Sequence, residues 1–206
     1  MKVLLINGSP HEKGCTYTAL SLIAGELNAA GIETEILNVG TKPVGGCIGC
    51  GGCSADKGCV FGGVVNEAIE KAKTAAAFVF GTPVHYASAS GNMTSFMDRL
   101  AYAGGRYLAY KPAAICCSAR RAGTTSTLDQ LVKYPEFFHM PLESGSYWPM
   151  VHGSNPEQVL QDAEGCAVMQ ELGRNMAWLL RCIEAGKAAG IQHPENPRRP
   201  MTNFIR

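Results

Sequence analysis

Short apolar runs alternate with amphipathic stretches along most of this chain. Val3 to Ile6 forms the first run, and Thr34 to Val39 alternates between apolar and polar positions as a second strand. Ala76 to Phe80 and Ala113 to Cys117 are continuous apolar runs, which are typical of central parallel strands covered on both faces. The first of these two is expected to end at Gly81-Thr82-Pro83. The intervening helical stripes are Leu20, Ile23, Leu27 and Ala30; Val65, Ala68, Ile69 and Ala72; and Met93, Phe96, Met97 and Leu100.

The second half of the chain continues the alternation less regularly. The pattern predicts a short helix near Thr125 to Val132, a more polar fifth strand from Leu142 to Ser146, and a long helix from about Ala163 to Ala185. Five strands that alternate with helices imply an α/β fold with right-handed crossovers and a doubly wound parallel sheet in a three-layer α/β/α arrangement. We predict one domain over residues 1–190 and a Pro- and Arg-rich tail over residues 191–206.

Charge and composition narrow the classes of function. The net charge is +1 and 46% of the residues are hydrophobic, so no polyanion-binding surface is indicated and nucleic acid is not an expected partner. No segment is apolar over a length that could span a membrane, and the first apolar run stops at Asn7, short of a signal-peptide core. The odd count of nine cysteines, with Cys116 and Cys117 adjacent in a strand, favours reduced thiols and a cytoplasmic location.

Four of the cysteines lie within thirteen residues of a Gly-rich loop, predicted at 45–60. Their spacing is C-x2-C-x2-C-x5-C, and such closely spaced thiolates can surround a soft metal centre. A 4Fe-4S cluster is the leading hypothesis for this loop. A zinc ion is the alternative metal, although zinc sites usually pair two C-x2-C elements across a longer gap. Free thiols in a flexible loop are the third possibility. The four candidate ligands are Cys47, Cys50, Cys53 and Cys59.

A strand-to-helix loop runs from Asn7 to Thr16. Its backbone amides and hydroxyls are suited to a phosphate at a helix N-terminus. The loop contains neither G-x-G-x-x-G nor a Gly-Lys-Ser/Thr ending, so a dinucleotide fingerprint and an ATP-type loop are both poorly supported. A monophosphate held by neutral groups is one interpretation. The other is that Ser9 and Thr16 only cap the first helix.

These motifs together resemble a known family. The order and spacing are similar to those of the flavodoxin-like NAD(P)H-dependent FMN reductases, and the cysteine spacing looks like that of the iron-sulfur flavoproteins, a branch of the same superfamily. The resemblance extends over residues 1 to about 185. It implies a flavodoxin-like five-stranded fold and FMN as cofactor. The residues that carry it are Gly8-Ser9-Pro10, Gly14-x-Thr16, Pro83-Val84-His85-Tyr86 and Asp98-Arg99, with the four cysteines between.

The resemblance implies three loops that contact FMN. His11 and Cys15 stand where the family often has Arg and Asn, and His85 replaces a common Tyr. We expect His85 to contact the flavin, with a solvent-facing histidine as the alternative. Cys15 is expected to be a small buried cap residue, with a lowered thiol pKa as the alternative. The implied contacts are Ser9, His11, Gly14, Cys15 and Thr16 around the phosphate; Thr82, Pro83, Val84, His85 and Tyr86 beside the isoalloxazine ring; and Ser118, Ala119, Arg120 and Gly123 in a third loop.

The implied activity needs no catalytic side chain, because the flavin carries the chemistry. The leading hypothesis is an oxidoreductase that passes electrons from NAD(P)H to a small acceptor, which would be a quinone, a nitro or azo compound, a flavin or a metal ion. The alternative is an iron-sulfur flavoprotein that carries electrons and is fed by ferredoxin. A metal-binding or regulatory protein without turnover is the third class. The near-neutral charge favours an enzyme over a small acidic carrier.

Three structural expectations accompany this hypothesis. The resemblance implies a homodimer or homotetramer, with the aromatic-rich segments 137–141 and 146–153 at an interface or lid. Asp98 and Arg99 are expected to form an internal ion pair that braces the loops. The cysteines expected in the core are Cys116, Cys117, Cys166 and Cys182.

Overall fold

A computed structural model describes residues 1–53, 57–196 and 200–202. Five parallel strands form one sheet in the order β2-β1-β3-β5-β6, and a short strand, β4, pairs with β3 in the antiparallel direction. The strands are β1 (Lys2–Asn7), β2 (Glu33–Asn38), β3 (Ala77–His85), β4 (Ser88–Ala89), β5 (Ala113–Ala119) and β6 (Met150–His152). The helices are α1 (Cys15–Ala29), α2 (Val64–Thr74), α3 (Gly91–Gly104), α4 (Thr124–Phe137), α5 (Pro156–Val159) and α6 (Ala163–Ala188). This strand order, with helices between the parallel strands, confirms the predicted flavodoxin-like α/β fold.

Alternate residues of the central strands enter two different cores. Leu4 of β1 and Phe78 of β3 pack against α2, α3 and α4, whereas Leu5 and Val79 pack against α1 and α6. This period of two is the geometry of an extended strand, and it explains why the central strands carry runs of consecutive apolar residues. The sheet therefore lies between two helical layers. No helix in the described part of the chain is long and apolar enough to cross a membrane.

The predicted fifth strand is wrong in position. Leu142 makes one isolated parallel bridge with Ala113, and the true edge strand is β6, which pairs with Cys117 to Ala119 of β5. Three residues that follow a proline give almost no periodic signal, so β6 is defined by its pairing with β5. The helix predicted near Thr125 to Val132 is longer and continues to Phe137 as α4, with Pro135 in its last turn.

Strand β3 also continues beyond its predicted end. It runs to His85 and folds back through Tyr86 and Ala87 into β4, forming a hairpin above the sheet. Pro83 pairs with Ser118 of β5 after β1 has ended, so one side of β3 has no neighbouring strand at this level. Proline is tolerated at such a position because the ladder needs no donor on the open side.

An ion-pair group joins β1, β2 and α2. Glu35 accepts from the ammonium groups of Lys71 at 2.6 Å and Lys2 at 3.4 Å, and the contact with Lys71 lowers the pKa of the Glu35 carboxyl below its ordinary value of 4.5. Because the folded-state pKa is the lower one, the stabilisation is present above pH 4.5 and is lost as the pH falls.

We expect Glu35→Gln to lower Tm at neutral pH by no more than about 3 °C, since exposed pairs contribute little. The difference in Tm between variant and wild type should shrink below pH 4.5. Thermal unfolding followed by circular dichroism, at pH values from about 3 to about 7, measures these differences in Tm to a precision of about 1 °C. Lys71→Met should show the same pattern, with a difference in Tm from wild type that shrinks below pH 4.5. A difference in Tm that stays constant with pH in both variants would contradict a stabilising contact between Glu35 and Lys71.

Candidate functional site

Three loops meet where β1, β3 and β5 end. Asn7 of β1 pairs with Gly81 of β3, which also pairs with Cys116 of β5, so the three strands are neighbours in the sheet near their carboxyl ends. The loop after β1, the β3–β4 hairpin and the loop after β5 therefore lie side by side. The structure brings together the three predicted loops, at the edge of the sheet where doubly wound folds bind ligands.

The first turn of α1 is open to an anion. Gly14 is the N-cap residue, no side chain caps the helix, and no acidic residue occupies its first turn. The interpretation in which Ser9 and Thr16 cap α1 is therefore wrong. The first N–H groups of a helix have no partner within the helix and carry its positive dipole end. This donor set fits a phosphate.

Asn7 fixes the loop in front of that helix. Its side-chain oxygen accepts from the N–H of Ser9 at 3.1 Å, and its amide nitrogen donates to the carbonyl of Glu12 at 3.2 Å and to the side chain of Asn38 at 2.8 Å. From the sequence, Asn7 is predicted only as the residue where the first strand ends and the phosphate loop begins. Its pairing with Asn38, at the end of the adjacent strand, was the signal that could have shown this role.

Hydroxyl groups connect the three loops. The Ser90 hydroxyl donates to the carbonyl of Gly8 at 2.8 Å, and the Ser90 N–H donates to the Thr82 hydroxyl at 3.1 Å. The Thr16 and Ser118 hydroxyls lie 2.8 Å apart. All of these hydroxyl-bearing residues are buried. Ser90 was not predicted, although it caps α3 directly before an amphipathic stripe.

The β3–β4 hairpin presents two exposed side chains to solvent. His85 and Tyr86 are both exposed, and Tyr86 and Ala87 have left-handed backbone with φ of 49° and 58°. The predicted contact of His85 with a flavin stays a prediction. Helix α4 holds the hairpin, because the Ser126 hydroxyl donates to the carbonyl of Ala87 at 2.7 Å.

Gln130 and Gly123 complete the support of the hairpin. The side-chain oxygen of Gln130 accepts from the Ser88 hydroxyl at 2.6 Å and from the Ala89 N–H at 3.0 Å. Gly123 has φ of 92°, and a Cβ there would lie 2.6 Å from the Cα of Ala87. Only a glycine allows this close approach. Of the remaining third-loop residues, Ala119 is buried at the end of β5 and Arg120 is exposed.

Cys15 is the first residue of α1 and is half-buried, and Gly14 is the N-cap, so the expected role of Cys15 as a buried cap residue is wrong. Its thiol donates to the carbonyl of Gly153 at 3.6 Å, and desolvation by burial raises the thiol pKa. The alternative of a lowered pKa is therefore wrong. His11, the other departure from the family pattern, is exposed, and its N–H donates to the Ser9 hydroxyl at 3.1 Å.

The four clustered cysteines line one cavity of about 250 Å³. Its wall also includes Phe61, Arg99 and Tyr102. Among the described residues, no three His, Cys, Asp or Glu side chains are close enough to hold a single metal ion. The four thiols therefore share one cavity without forming a closed single-ion site among the described residues. The cavity-lining cysteines are Cys47, Cys50, Cys53 and Cys59.

Backbone conformation curves the cysteine loop around that cavity. Gly49 and Gly51, in the two short gaps between cysteines, have φ of 64° and 68°, a left-handed conformation that favours glycine. Asn66 fixes the far end of the loop, accepting from the Cys59 N–H at 2.8 Å and donating to the Cys59 carbonyl at 3.0 Å. Residues 54–56 of the predicted loop lie outside the described residues.

The expected ion pair between Asp98 and Arg99 is wrong. Asp98 accepts from the Tyr134 hydroxyl at 2.5 Å, whereas Arg99 donates from Nε to the sulfur of Cys59 at 3.1 Å. Neighbouring residues on a helix point about 100° apart and do not face each other. Burial, together with the bond to Asp98, raises the pKa of Tyr134.

The other core assignments are mixed. Cys116 and Cys117 are fully buried in β5, as expected, and burial raises the pKa of Cys117 to about 12. Cys166 is half-buried, but Cys182 is exposed on α6, so its core assignment is wrong.

Tyr147 and Trp148 are exposed and pack edge to face at 4.8 Å. Their expected role at a subunit interface stays a prediction. The described parts of the tail, 191–196 and 200–202, contain no helix, and residues 197–199 and 203–206 lie outside the described residues.

Sequence comparison identifies relatives of this chain. The family model for NADPH-dependent FMN reductase matches residues 1–155. An iron-sulfur flavoprotein from Methanocaldococcus jannaschii is 27% identical over 192 residues, which is 89% of this chain and 100% of the relative.

Structural comparison finds similar folds at low identity. The crystal structure of RosB with a bound intermediate, 8-demethyl-8-formylriboflavin-5'-phosphate, is similar with a TM-score of 0.70 and 13% identity, covering 100% of this chain and 92% of that chain. A flavodoxin from the domain Archaea is similar with a TM-score of 0.61 and 13% identity, covering 88% of this chain and 99% of that one.

Proposed function

The chain belongs to the NADPH-dependent FMN reductase family, and from that premise we propose that it transfers electrons from NAD(P)H through bound FMN to a small acceptor. The acceptor would be a quinone, a nitro or azo compound, free flavin or a metal ion. The observation that carries this proposal is the meeting of three loops beside the uncapped N-terminus of α1. When bound, FMN supplies hydride acceptance and electron release in one- or two-electron steps.

The residues of the phosphate loop would bind by neutral donors. The free N–H groups of the first turn of α1, with the hydroxyls of Ser9 and Thr16, would hold the phosphate, because a helix N-terminus stabilises an anion. Ser9 and Thr16 are buried, so water competes little for these bonds. Asn7 and Ser90 would keep the loop in place through their bonds to Ser9 and Gly8.

The β3–β4 hairpin would orient the ring. A hydrogen bond joins Thr82 and Ser90 at the two ends of the hairpin. Gln130 binds its outer strand and Ser126 binds its turn, so the hairpin is ordered before a ligand binds. An ordered loop loses less conformational entropy on binding. His85 would lie at the solvent side of the site, where a nicotinamide and then an acceptor can enter in turn.

A second candidate function is supported by the cysteine loop. Four cysteines that line one cavity fit a 4Fe-4S cluster, and the relative from Methanocaldococcus jannaschii is named an iron-sulfur flavoprotein. When bound, such a cluster supplies single-electron transfer. The chain would then carry electrons between ferredoxin and the flavin. Zinc and free thiols remain the alternatives for this loop.

One preparation of protein, purified without oxygen, tests these functions. We expect about one FMN and about four irons with matching acid-labile sulfide per chain. Steady oxidation of NADH or NADPH with a quinone would support the first function. Flavin reduction by reduced ferredoxin but not by NAD(P)H would instead support the electron carrier. Protein that neither contains nor takes up FMN would contradict both proposed functions. The remaining class would then be a metal-binding or regulatory protein without turnover.

A further inference from the structure

Arg99 is a buried cation without a carboxylate partner among the described residues. It lies on α3 with 6% of its surface exposed, and its side chain carries the positive charge of a guanidinium group. A buried charge is costly unless it is paired and hydrogen-bonded. In the described ranges, no ion pair joins Arg99 to an Asp or Glu side chain. The partners of its guanidinium lie instead in the cysteine loop.

The guanidinium binds that loop at three points. Nε donates to the sulfur of Cys59 at 3.1 Å, Nη1 to the carbonyl of Gly45 at 3.3 Å and Nη2 to the carbonyl of Gly62 at 3.0 Å. Gly45 precedes the first of the four cysteines and Gly62 follows the last. The ring of Phe61 lies 5.4 Å from the guanidinium carbon. One rigid fork therefore fixes both ends of the loop and one candidate ligand.

The charge of this group matches what the site would contain. Arg99 lines the same cavity as the four cysteines. A cluster held by four thiolates is an anion, and its reduction adds another negative charge. Net charge and hydrogen bonds to sulfur both set the potential of such clusters. A fixed cation beside them stabilises the reduced state more than the oxidised state.

We propose that Arg99 is the positioning residue of the cysteine site, holding Cys59 and both ends of the loop in place and supplying the positive charge that balances an anionic cluster. The charge-balancing part rests on the proposed cluster. The positioning part does not, because the hydrogen bonds of Arg99 are made by the protein alone. The two parts can therefore be tested separately.

The positioning role is tested on iron-free protein by hydrogen-deuterium exchange of the described residues of the loop, 45–53 and 57–62. Arg99→Met should speed exchange of these amides about ten-fold, because charged hydrogen bonds at both ends are lost. Arg174→Met is the matched control, since Arg174 pairs with Glu26 away from the loop. Unchanged loop exchange in Arg99→Met would overturn the positioning role. If that variant does not fold, Arg99→Lys replaces it, because Lys keeps the charge and loses the fork.

The charge role is tested on iron-loaded protein by redox titration and by iron release to ferrozine. Arg99→Gln should shift the midpoint potential of the cluster to more negative values and release iron about ten-fold faster. Arg99→Lys should keep the potential near that of wild type while still releasing iron faster, a separation that a merely structural role would not produce. An unchanged potential in Arg99→Gln would overturn the charge role. Wild-type protein without iron would contradict the proposed cluster, while the exchange experiment would still decide the positioning role.

Discussion

Replacing Gly40 with Ala is expected to weaken FMN binding by about 100-fold, or about 2.7 kcal/mol. Gly40 is buried two residues beyond the end of β2, and it lies against the backbone of the phosphate loop at Gly8 and Ser9. A Cβ at this position would lie 2.5 Å from the carbonyl oxygen of Gly8 and would also collide with the backbone of Ser9. Backbone atoms cannot rotate away, so the phosphate loop itself must move. Movement of Ser9 would misplace a donor beside the open end of α1.

The matched control for this prediction is Gly25→Ala. Gly25 is exposed within α1, and a Cβ there would meet no atom within 4 Å. Alanine favours helix by roughly 1 kcal/mol over glycine, so this variant should keep its affinity and gain stability. Flavin-free protein is titrated with FMN by fluorescence at a temperature well below both Tm values. Wild-type affinity in Gly40→Ala would show that FMN does not depend on this loop.

Much of the fold could be predicted because the central strands are apolar on both faces. Two apolar runs, Ala76 to Phe80 and Ala113 to Cys117, can bury both of their faces only as central strands of a sheet covered by helices on each side. The edge strand β6 could not be predicted in the same way. Met150 to His152 is too short to show a period, and its pairing with β5 fixes its conformation. Tertiary contact decides such segments.

The candidate site could be predicted only as far as local motifs extend. The phosphate loop, the hairpin residues and the cysteines each form a short segment, and the sheet brings the first two together at adjacent strand ends. The supporting residues have partners far along the chain. Arg99 contacts residues 37 to 54 positions away, and Gly40 faces the loop after β1. No local pattern could have shown those contacts.

The second large effect is expected from Cys50→Ser, which should remove the proposed cluster and leave the proposed FMN in place. Cys50 is exposed and lines the cavity, so the change costs little packing. A serine hydroxyl is a poor replacement for a soft thiolate ligand of iron. Iron should fall from about four to less than about one per chain, while the flavin content is unchanged. Metal analysis, labile sulfide and the visible spectrum of protein purified without oxygen measure both quantities.

Cys182→Ser is the matched control, because Cys182 is also exposed but lies on α6. It should keep its iron. Unchanged iron content in Cys50→Ser would exclude Cys50 as an iron ligand. If wild-type protein instead contained about one zinc per chain and Cys50→Ser lost it, the loop would be a zinc site and not a cluster site.

The same variant separates the two candidate functions, because they differ in their need for the cysteine loop. Transfer from NAD(P)H to a quinone requires only the flavin site, so its rate should stay within about two-fold of wild type in Cys50→Ser. Under the electron-carrier proposal, flavin reduction by ferredoxin would require single-electron transfer through the proposed cluster, so its rate should fall by about ten-fold or more. If both rates fell together while FMN stayed bound, the cysteine loop would belong to the reductase itself, and the two functions would be one.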